Sequence, residues 1–361
     1  MLDDAPVTPT VLPSVLPAAR LKPVAIWLFA CAAAVFLMAL IGAITRLTES
    51  GLSIVKWEPI AGALPPLNAA DWAREFADYK TSPQYLKVNH GMSLDDFKHI
   101  FFWEWLHRLW GRTIGVIYFL PFLYFWQRIP AARKPAFFGI LAIGCFQGAL
   151  GWWMVASGLV DNPAVSHYRL AAHLMTAVFL YACLFRLGLV FALPKTEPAG
   201  AAGKLHGFIR ACIVAVAVTM TWGAFVAGLD AGMVYNTFPM MDSHWLPPEL
   251  MQHKPVWLAI FEEPASVQFT HRILALLTFC KVMALVWRSK KLDCTPRQRR
   301  LFNAAGIVAL CQVALGISTL LTQVDIHLAV MHQAGAMTLL GVLVWLLHDV
   351  PALPKENQAR A

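Results

Sequence analysis

Charged side chains are scarce in this 361-residue chain: Asp, Glu, Lys and Arg together make up 14% of it. An ordinary soluble domain carries about 25%. That scarcity excludes a disordered chain, a nucleic-acid-binding tail protein and a typical cytosolic enzyme, and no nucleic-acid partner is expected. Cysteine is present seven times, an odd number that rules out a complete disulfide framework. Cys31, Cys145, Cys183, Cys212, Cys280 and Cys311 fall in apolar stretches and Cys294 in a basic connection. Neither a structural disulfide nor a thiol redox role is expected from them. The chain has no P-loop, no dinucleotide-binding glycine fingerprint and no CxxCH motif. Covalent attachment of a prosthetic group through such a motif is therefore not expected.

What the chain has in plenty is apolar surface: 58% of its residues are hydrophobic, and its mean hydropathy is +0.57. Eight apolar stretches reach the ~20 residues that a bilayer core requires. They run over 24–43, 100–126, 136–157, 170–190, 208–228, 268–287, 302–322 and 328–348. In lipid a backbone must satisfy its own hydrogen bonds, and the runs are continuous rather than alternating, so all eight read as α-helices. The first 22 residues hold Asp3, Asp4 and four prolines with no apolar core, which reads as a tail and not a cleaved signal peptide.

Basic residues set the expected orientation. Arg20 and Lys22 precede the first helix, Arg128, Arg133 and Lys134 separate the second and third, and Lys195 and Lys204 the fourth and fifth. Lys290, Lys291, Arg297, Arg299 and Arg300 join the sixth and seventh. All of these connections fall on one side, which the positive-inside rule makes cytoplasmic. The other side holds Glu49, Glu58, Asp71, Glu75, Asp78, Asp95, Asp96, Asp230, Asp242, Glu249, Glu262 and Glu263. Both termini are thus expected inside, with two packed outer loops over 44–98 and 229–267.

The two halves echo each other. His107-Arg108 recurs as His271-Arg272, Gln147 and Gly151 as Gln312 and Gly316, and His173 as His332. Ser50-Gly51-Leu52 after the first helix has its counterpart in Ala231-Gly232-Met233 after the fifth. Both halves start inside, so the repeat is parallel, as in membrane proteins whose halves turn about the membrane normal. The expected organisation is an N-terminal tail (1–23), a four-helix bundle (24–190), a linker (191–207), a second four-helix bundle (208–349) and a C-terminal tail (350–361). The fold class is all-α, polytopic and pseudo-symmetric.

An ionisable residue at membrane depth points to function, because burying it there is costly. His107, His173, His271 and His332 sit in the outer parts of the even-numbered helices, two per half. Facing histidines of a helix bundle suit the two axial positions of haem iron, and the repeat pairs His107 with His173 and His271 with His332. A zinc site fits less well, since structural zinc takes four ligands together. His99, His167 and His327 lie on the same side, His327 being the rival of His332, while His90, His206, His244, His253 and His348 fall in loops or at helix ends. Glu104 stands three residues before His107, on nearly the same helical face. Its counterpart is Gln268, so only the first half has a carboxylate for acid–base or electrostatic work beside the haem. Arg46, Arg108, Arg112, Arg169 and Arg272 gather at the same level and are candidates for the haem propionates; snorkelling to headgroups is the competing reading. Trp103, Trp105, Trp110, Trp152 and Trp153 read as an interface belt, and Gly144 and Gly148 as a small-xxx-small packing face.

Residues alone leave three readings open: an intramembrane oxidoreductase acting on a haem side chain, a di-haem b electron carrier, and a haem transporter or chaperone. Several long strings, however, resemble the haem A synthase family. They are GAITRLTESGLSIVKWEPIAGALPPLN (42–68), FKHIFFWEWLHRLWGR (97–112), YRLAAHL (168–174), GLDAGMVYNTFPMM (228–241), QFTHRILA (268–275) and MHQAGA (331–336). The likeness spans about 24–349 and is to the Gram-negative and mitochondrial branch, since the cysteine pair in the first outer loop is missing. It implies oxidation of the C8 methyl of haem O to a formyl group by successive hydroxylations, supplying haem A to terminal oxidases. It further implies Glu104 and His107 as the ExxH of the substrate-haem pocket with His173, and His271 and His332 as ligands of haem b. The partners then expected are haem O and haem A, a haem O synthase, an electron-transfer partner, the lipid of a bacterial inner membrane and a second copy of the chain.

Overall fold

The computed structural model describes residues 22–56, 61–160, 163–193, 200–252 and 254–353. Residues 1–21 of the expected tail, Glu58, Lys195, His253 and residues 354–361 lie outside the described residues. Twelve α-helices follow one another among the described residues. They are α1 (Lys22–Leu47), α2 (Ala69–Tyr79), α3 (Pro83–Lys87), α4 (Leu94–Phe125), α5 (Lys134–Ala156) and α6 (His167–Ala192). After these come α7 (His206–Gly228), α8 (Glu249–Gln252), α9 (Val256–Glu262), α10 (Pro264–Ser289), α11 (Pro296–Leu321) and α12 (Ile326–Asp349). No strand occurs among the described residues, only one isolated bridge between Met241 and His244.

Each of the eight apolar stretches is a helix. Seven of them, α1, α5, α6, α7, α10, α11 and α12, are long and apolar enough to cross a membrane. The exception is α4, whose 32 residues include Glu104, Arg108 and Arg112. It also starts at Leu94 instead of 100, because Ser93 caps it by accepting from the Asp96 N–H and Asp95 and Asp96 sit in its positive first turn. Other starts are equally local. Glu263 caps α10, Thr295 and Gln298 form a capping box on α11, and Asp325 caps α12. Past the ends of α1 and α7, Glu49 and Asp230 both turn the chain with positive φ, 54° and 51°.

The helix contacts have a repeated pattern. α1 packs on α4 and α6, and α5 on α4 and α6; likewise α7 packs on α10 and α12, and α11 on α10 and α12. Between these groups run α6–α7, α1–α12 and α6–α12 contacts. Lipid tails are as apolar as leucine, so burial alone drives helices together weakly in a membrane, and close packing and polar contacts matter more. Here Trp27 Nε1 donates to Ile117 O at 2.9 Å, Tyr118 Oη to Phe137 O at 2.8 Å and Gln333 Nε2 to Ala39 O at 2.6 Å. Cys31 Sγ lies 3.9 Å from Ile117 O and Cys212 Sγ 3.9 Å from Lys281 O, pairs that match across the repeat. All seven cysteines are free thiols.

The loop between α1 and α4 is a packed cap. Tyr79, Phe97 and Phe101 are buried in it, surrounded by Trp72, Phe76 and Tyr85. Burial raises the Tyr79 phenol above its ordinary pKa, and the hydroxyl donates to Gln84 Oε1 at 3.1 Å. The second cap, α8 and α9, is held through Trp222 Nε1 to Ile260 O and Tyr235 Oη to Glu249. Two expectations need correction. Nothing lies within 4 Å of a Cβ placed on Gly144 or Gly148, so among the described residues that stripe faces no neighbouring helix. Trp105 and Trp110 do not serve only as a belt: their indoles donate to Ala63 O and Ala34 O.

Candidate functional site

Helices α4, α6, α10 and α12 each bring one histidine into the bundle: His107, His173, His271 and His332, all half-buried. His107 and His173 lie close enough to interact electrostatically, and so do His271 and His332. Among the described residues, no three His, Cys, Asp or Glu side chains converge as metal ligands. The donor set is thus two pairs of imidazoles, which suits a group offering two axial positions and does not suit tetrahedral zinc.

Three of the four histidines have a hydrogen-bonding neighbour on an adjacent helix, at the ring of His173 and His271 and at the backbone of His332. Gln147 Nε2 on α5 donates to His173 O at 2.9 Å and lies 3.2 Å from His173 Nδ1. The matched Gln312 on α11 donates to His332 O at 2.8 Å. His271 Nδ1 lies 3.2 Å from Thr219 O on α7, a contact that fixes the proton on Nδ1 and leaves Nε2 free for a metal. Each ring also abuts a glycine of an adjacent helix. A Cβ on Gly42, Gly151, Gly223 or Gly316 would come within 3.2, 3.1, 3.2 and 2.8 Å of the ring of His107, His173, His271 and His332, respectively. In all four places the ring is therefore backed by bare helix backbone.

The other histidines stay apart. His327 is exposed in the first turn of α12 and His99 in the second turn of α4. His167 packs against Phe225, His206 Nδ1 is 2.7 Å from Val350 O, and His348 contacts Arg186.

Glu104 is buried, 3% exposed, and it faces the first cap. Its Oε2 accepts from Ser53 Oγ and from the Ile54 N–H, both at 2.7 Å, and its Oε1 from Arg108 Nη2 at 2.6 Å. Arg108 donates onward to Ile54 O and Lys56 O. The second half repeats this clamp with an amide. Gln268 Nε2 donates to Ala231 O and Tyr235 O, and its Oε1 accepts from Arg272, which also holds Tyr235 O, Thr237 O and Met240 O. Ser53 and the cap carbonyls are site residues that sequence reasoning missed; only the chain's folding back brings them to Glu104.

The remaining arginines divide. Arg46 joins the end of α1 to that of α7, donating to Asp230 Oδ1 at 2.7 Å and Ala227 O at 2.9 Å. Arg169 donates to Trp153 O and stacks over the Trp153 ring. Arg112 joins Arg108, Lys56, Arg74 and Trp105 in a cleft of about 210 Å³ under the first cap.

This arrangement defines an all-helical protein among the described residues, with seven helices long and apolar enough to cross a membrane and a histidine at matched places in each repeat. A family model described as Cytochrome oxidase assembly protein matches residues 25–344, and the chain belongs to that family. It is 50% identical over 343 residues to the Heme A synthase of Rhodospirillum centenum, covering 94% of this chain and 92% of that protein. It is 45% identical over 336 residues to the Heme A synthase of Nitrosospira multiformis, covering 91% and 94%. To that of Mesorhizobium japonicum it is 43% identical over 320 residues, 87% of each.

Proposed function

We propose that this protein is a haem A synthase, an oxidoreductase that converts the C8 methyl of haem O to a formyl group by successive hydroxylations, the gem-diol losing water. The observation that carries the reading is the two sets of histidines on equivalent helices with a buried carboxylate, Glu104, one turn from the histidine of α4 and an amide, Gln268, at the matched place on α10. His107 and His173 hold the substrate haem. His271 and His332 hold a noncovalent haem b, which when bound supplies one-electron transfer. A carrier with two permanent haems would have no need of that asymmetry, and family membership weighs against a transporter.

Glu104 is the residue assigned to the chemistry. It accepts three hydrogen bonds, two at Oε2 and one at Oε1, which leaves one lone-pair position on Oε1 and fits it for either acid–base work or charge stabilisation. Arg46, Arg108, Arg112, Arg169 and Arg272 are the propionate candidates, with Arg112 in the cleft beside the Glu104 clamp.

In this reading α4 is an eighth span. At ~1.5 Å per residue its 32 residues are ample for a bilayer core. It packs on α1 and α5 as α10 packs on α7 and α11, and Glu104 and Arg108 neutralise each other inside the protein. The chain is then two four-helix units, 24–190 and 208–349, in a bacterial inner membrane with both termini cytoplasmic. Haem O must be delivered by the enzyme that makes it, and the electrons removed need an acceptor. The deciding experiment is co-expression with a source of haem O, followed by chromatography of the extracted haems. Haem A is expected; only haem O and haem b would favour the carrier or the transporter.

A further inference from the structure

We propose that Gly42, Gly151, Gly223 and Gly316 are ligand-positioning residues, each withholding a side chain so that one imidazole is set against bare helix backbone. The proposal rests on the reading of the four histidines as haem ligands. Its physical basis is the space. Carbon atoms in good contact sit ~3.5–4.0 Å apart, and a Cβ on any of these glycines would come closer to the ring than that. At Gly316 it would lie 2.8 Å from His332 Cε1, so the ring must move. At Gly42, Gly151 and Gly223 it would lie 3.1–3.2 Å from the nearest ring atom, so each ring must yield by a few tenths of an ångström.

The four positions obey the internal repeat. Gly42 and Gly223 are 181 residues apart, as are Cys31 and Cys212; Gly151 and Gly316 are 165 apart, as are Gln147 and Gln312. No other α-helical glycine among the described residues has a glycine at its repeat position. Gly188, pressed on Phe29, matches Leu347, and Gly306, pressed on Val286, matches Leu141. Glycines that merely let helices approach have diverged between the halves, whereas those facing an imidazole have not.

The contacts also fix which corner of each ring faces the helix. His173, His271 and His332 present Cε1 to their glycine, with the two ring nitrogens flanking it. His107 presents Nε2, and a half-turn about its Cβ–Cγ bond exchanges that atom with Cε1. After that half-turn all four rings present Cε1, and in none is Nε2 the atom nearest the glycine. A methyl group in the way would rotate or tilt the ring without removing the ligand.

The test is electron paramagnetic resonance of the full-length holoprotein, because the g values of low-spin ferric haem follow the orientation of the axial imidazoles. Gly223→Ala and Gly316→Ala should shift the haem b signal and weaken haem b retention by about 10–100-fold, as loss of ligand support does at other metal sites. Gly42→Ala and Gly151→Ala should leave the haem b signal in place and shift that of added haem O, and Gly144→Ala should shift neither. An unchanged haem b signal in both Gly223→Ala and Gly316→Ala would overturn the proposal. If a glycine variant folds poorly, its melting temperature is compared with and without the facing ring. Gly316→Ala should lower it in the wild type but not in a His332→Ala background, and equal loss in both would overturn the proposal. His271→Ala and His332→Ala, run alongside, keep the two readings distinct: wild-type haem spectra there would sink the ligand assignment itself.

Discussion

Arg108 Nη2 lies 2.6 Å from Glu104 Oε1, one turn up the same helix, with side chains only 15% and 3% exposed. Arg272 and Gln268 occupy the matched place at 2.9 Å. The two clamps tie the chain after α1 and after α7 to the helix that carries a histidine. An uncharged amide is therefore sufficient for anchoring, and the negative charge in the first half needs another purpose.

That contrast yields the first prediction. Glu104→Gln should keep the fold and haem b but abolish haem A formation. Glu104→Ala should also lose stability, by about 3–5 kcal/mol, since it strands a buried guanidinium, as well as the Ser53 hydroxyl and the Ile54 N–H. Haem extraction measures the first effect and thermal unfolding the second. Undiminished haem A from Glu104→Gln would end the catalytic assignment.

The ligand assignment makes the second prediction. His271→Ala should remove the haem b bands from the reduced-minus-oxidised spectrum. His107→Ala should leave them intact while abolishing turnover of haem O. A spectrum unaltered by His271→Ala would refute the pairing with His332.

The contrast between Glu104 and Gln268 was legible in the sequence, as were the helices and the histidine pairs. Spans of ~20 apolar residues and their repeat need no tertiary knowledge. The clamp itself was hidden, because Ser53 and Ile54 are some 50 positions from Glu104 and nothing local announces that they return to it. The polar first turns of α4 escaped because a capped, acidic helix start looks like loop when only hydropathy is read. Gly42 and Gly223 could have been found by aligning the halves at the offset already set by Gly51 and Gly232. Gly144 and Gly148 misled for the opposite reason: spacing shows a small-residue stripe but not which way it faces.

A third prediction concerns the far end of the bundle. Asp349 is fully buried and receives Arg297 through two contacts, 2.5 Å from Nη2 and 3.0 Å from Nε, while Gln298 donates to its backbone carbonyl. Asp349→Ala should cost about 2–3 kcal/mol, less than a wholly buried pair because Arg297 is 39% exposed and can turn to water. Thermal unfolding in detergent checks this, and haem spectra should not change. A spectral change would mean that this end communicates with the histidines.

The fourth prediction separates the outer arginines by magnitude. Arg272 serves three cap carbonyls and the Gln268 amide oxygen, so Arg272→Ala should lose about 1–3 kcal/mol, chiefly because the buried Gln268 oxygen is left without its donor. Its effect on activity would then report the fall of the cap. Arg46 differs: its ion pair is with Asp230, which is 74% exposed, and such pairs contribute about 0–1 kcal/mol. Arg46→Ala should therefore barely move the melting temperature. If Arg46 holds a propionate, the same variant should raise the KM for haem O, and Asp230→Asn should not. Equal effects of Arg46→Ala and Asp230→Asn on KM would assign Arg46 to joining the two halves and remove it from the propionate set.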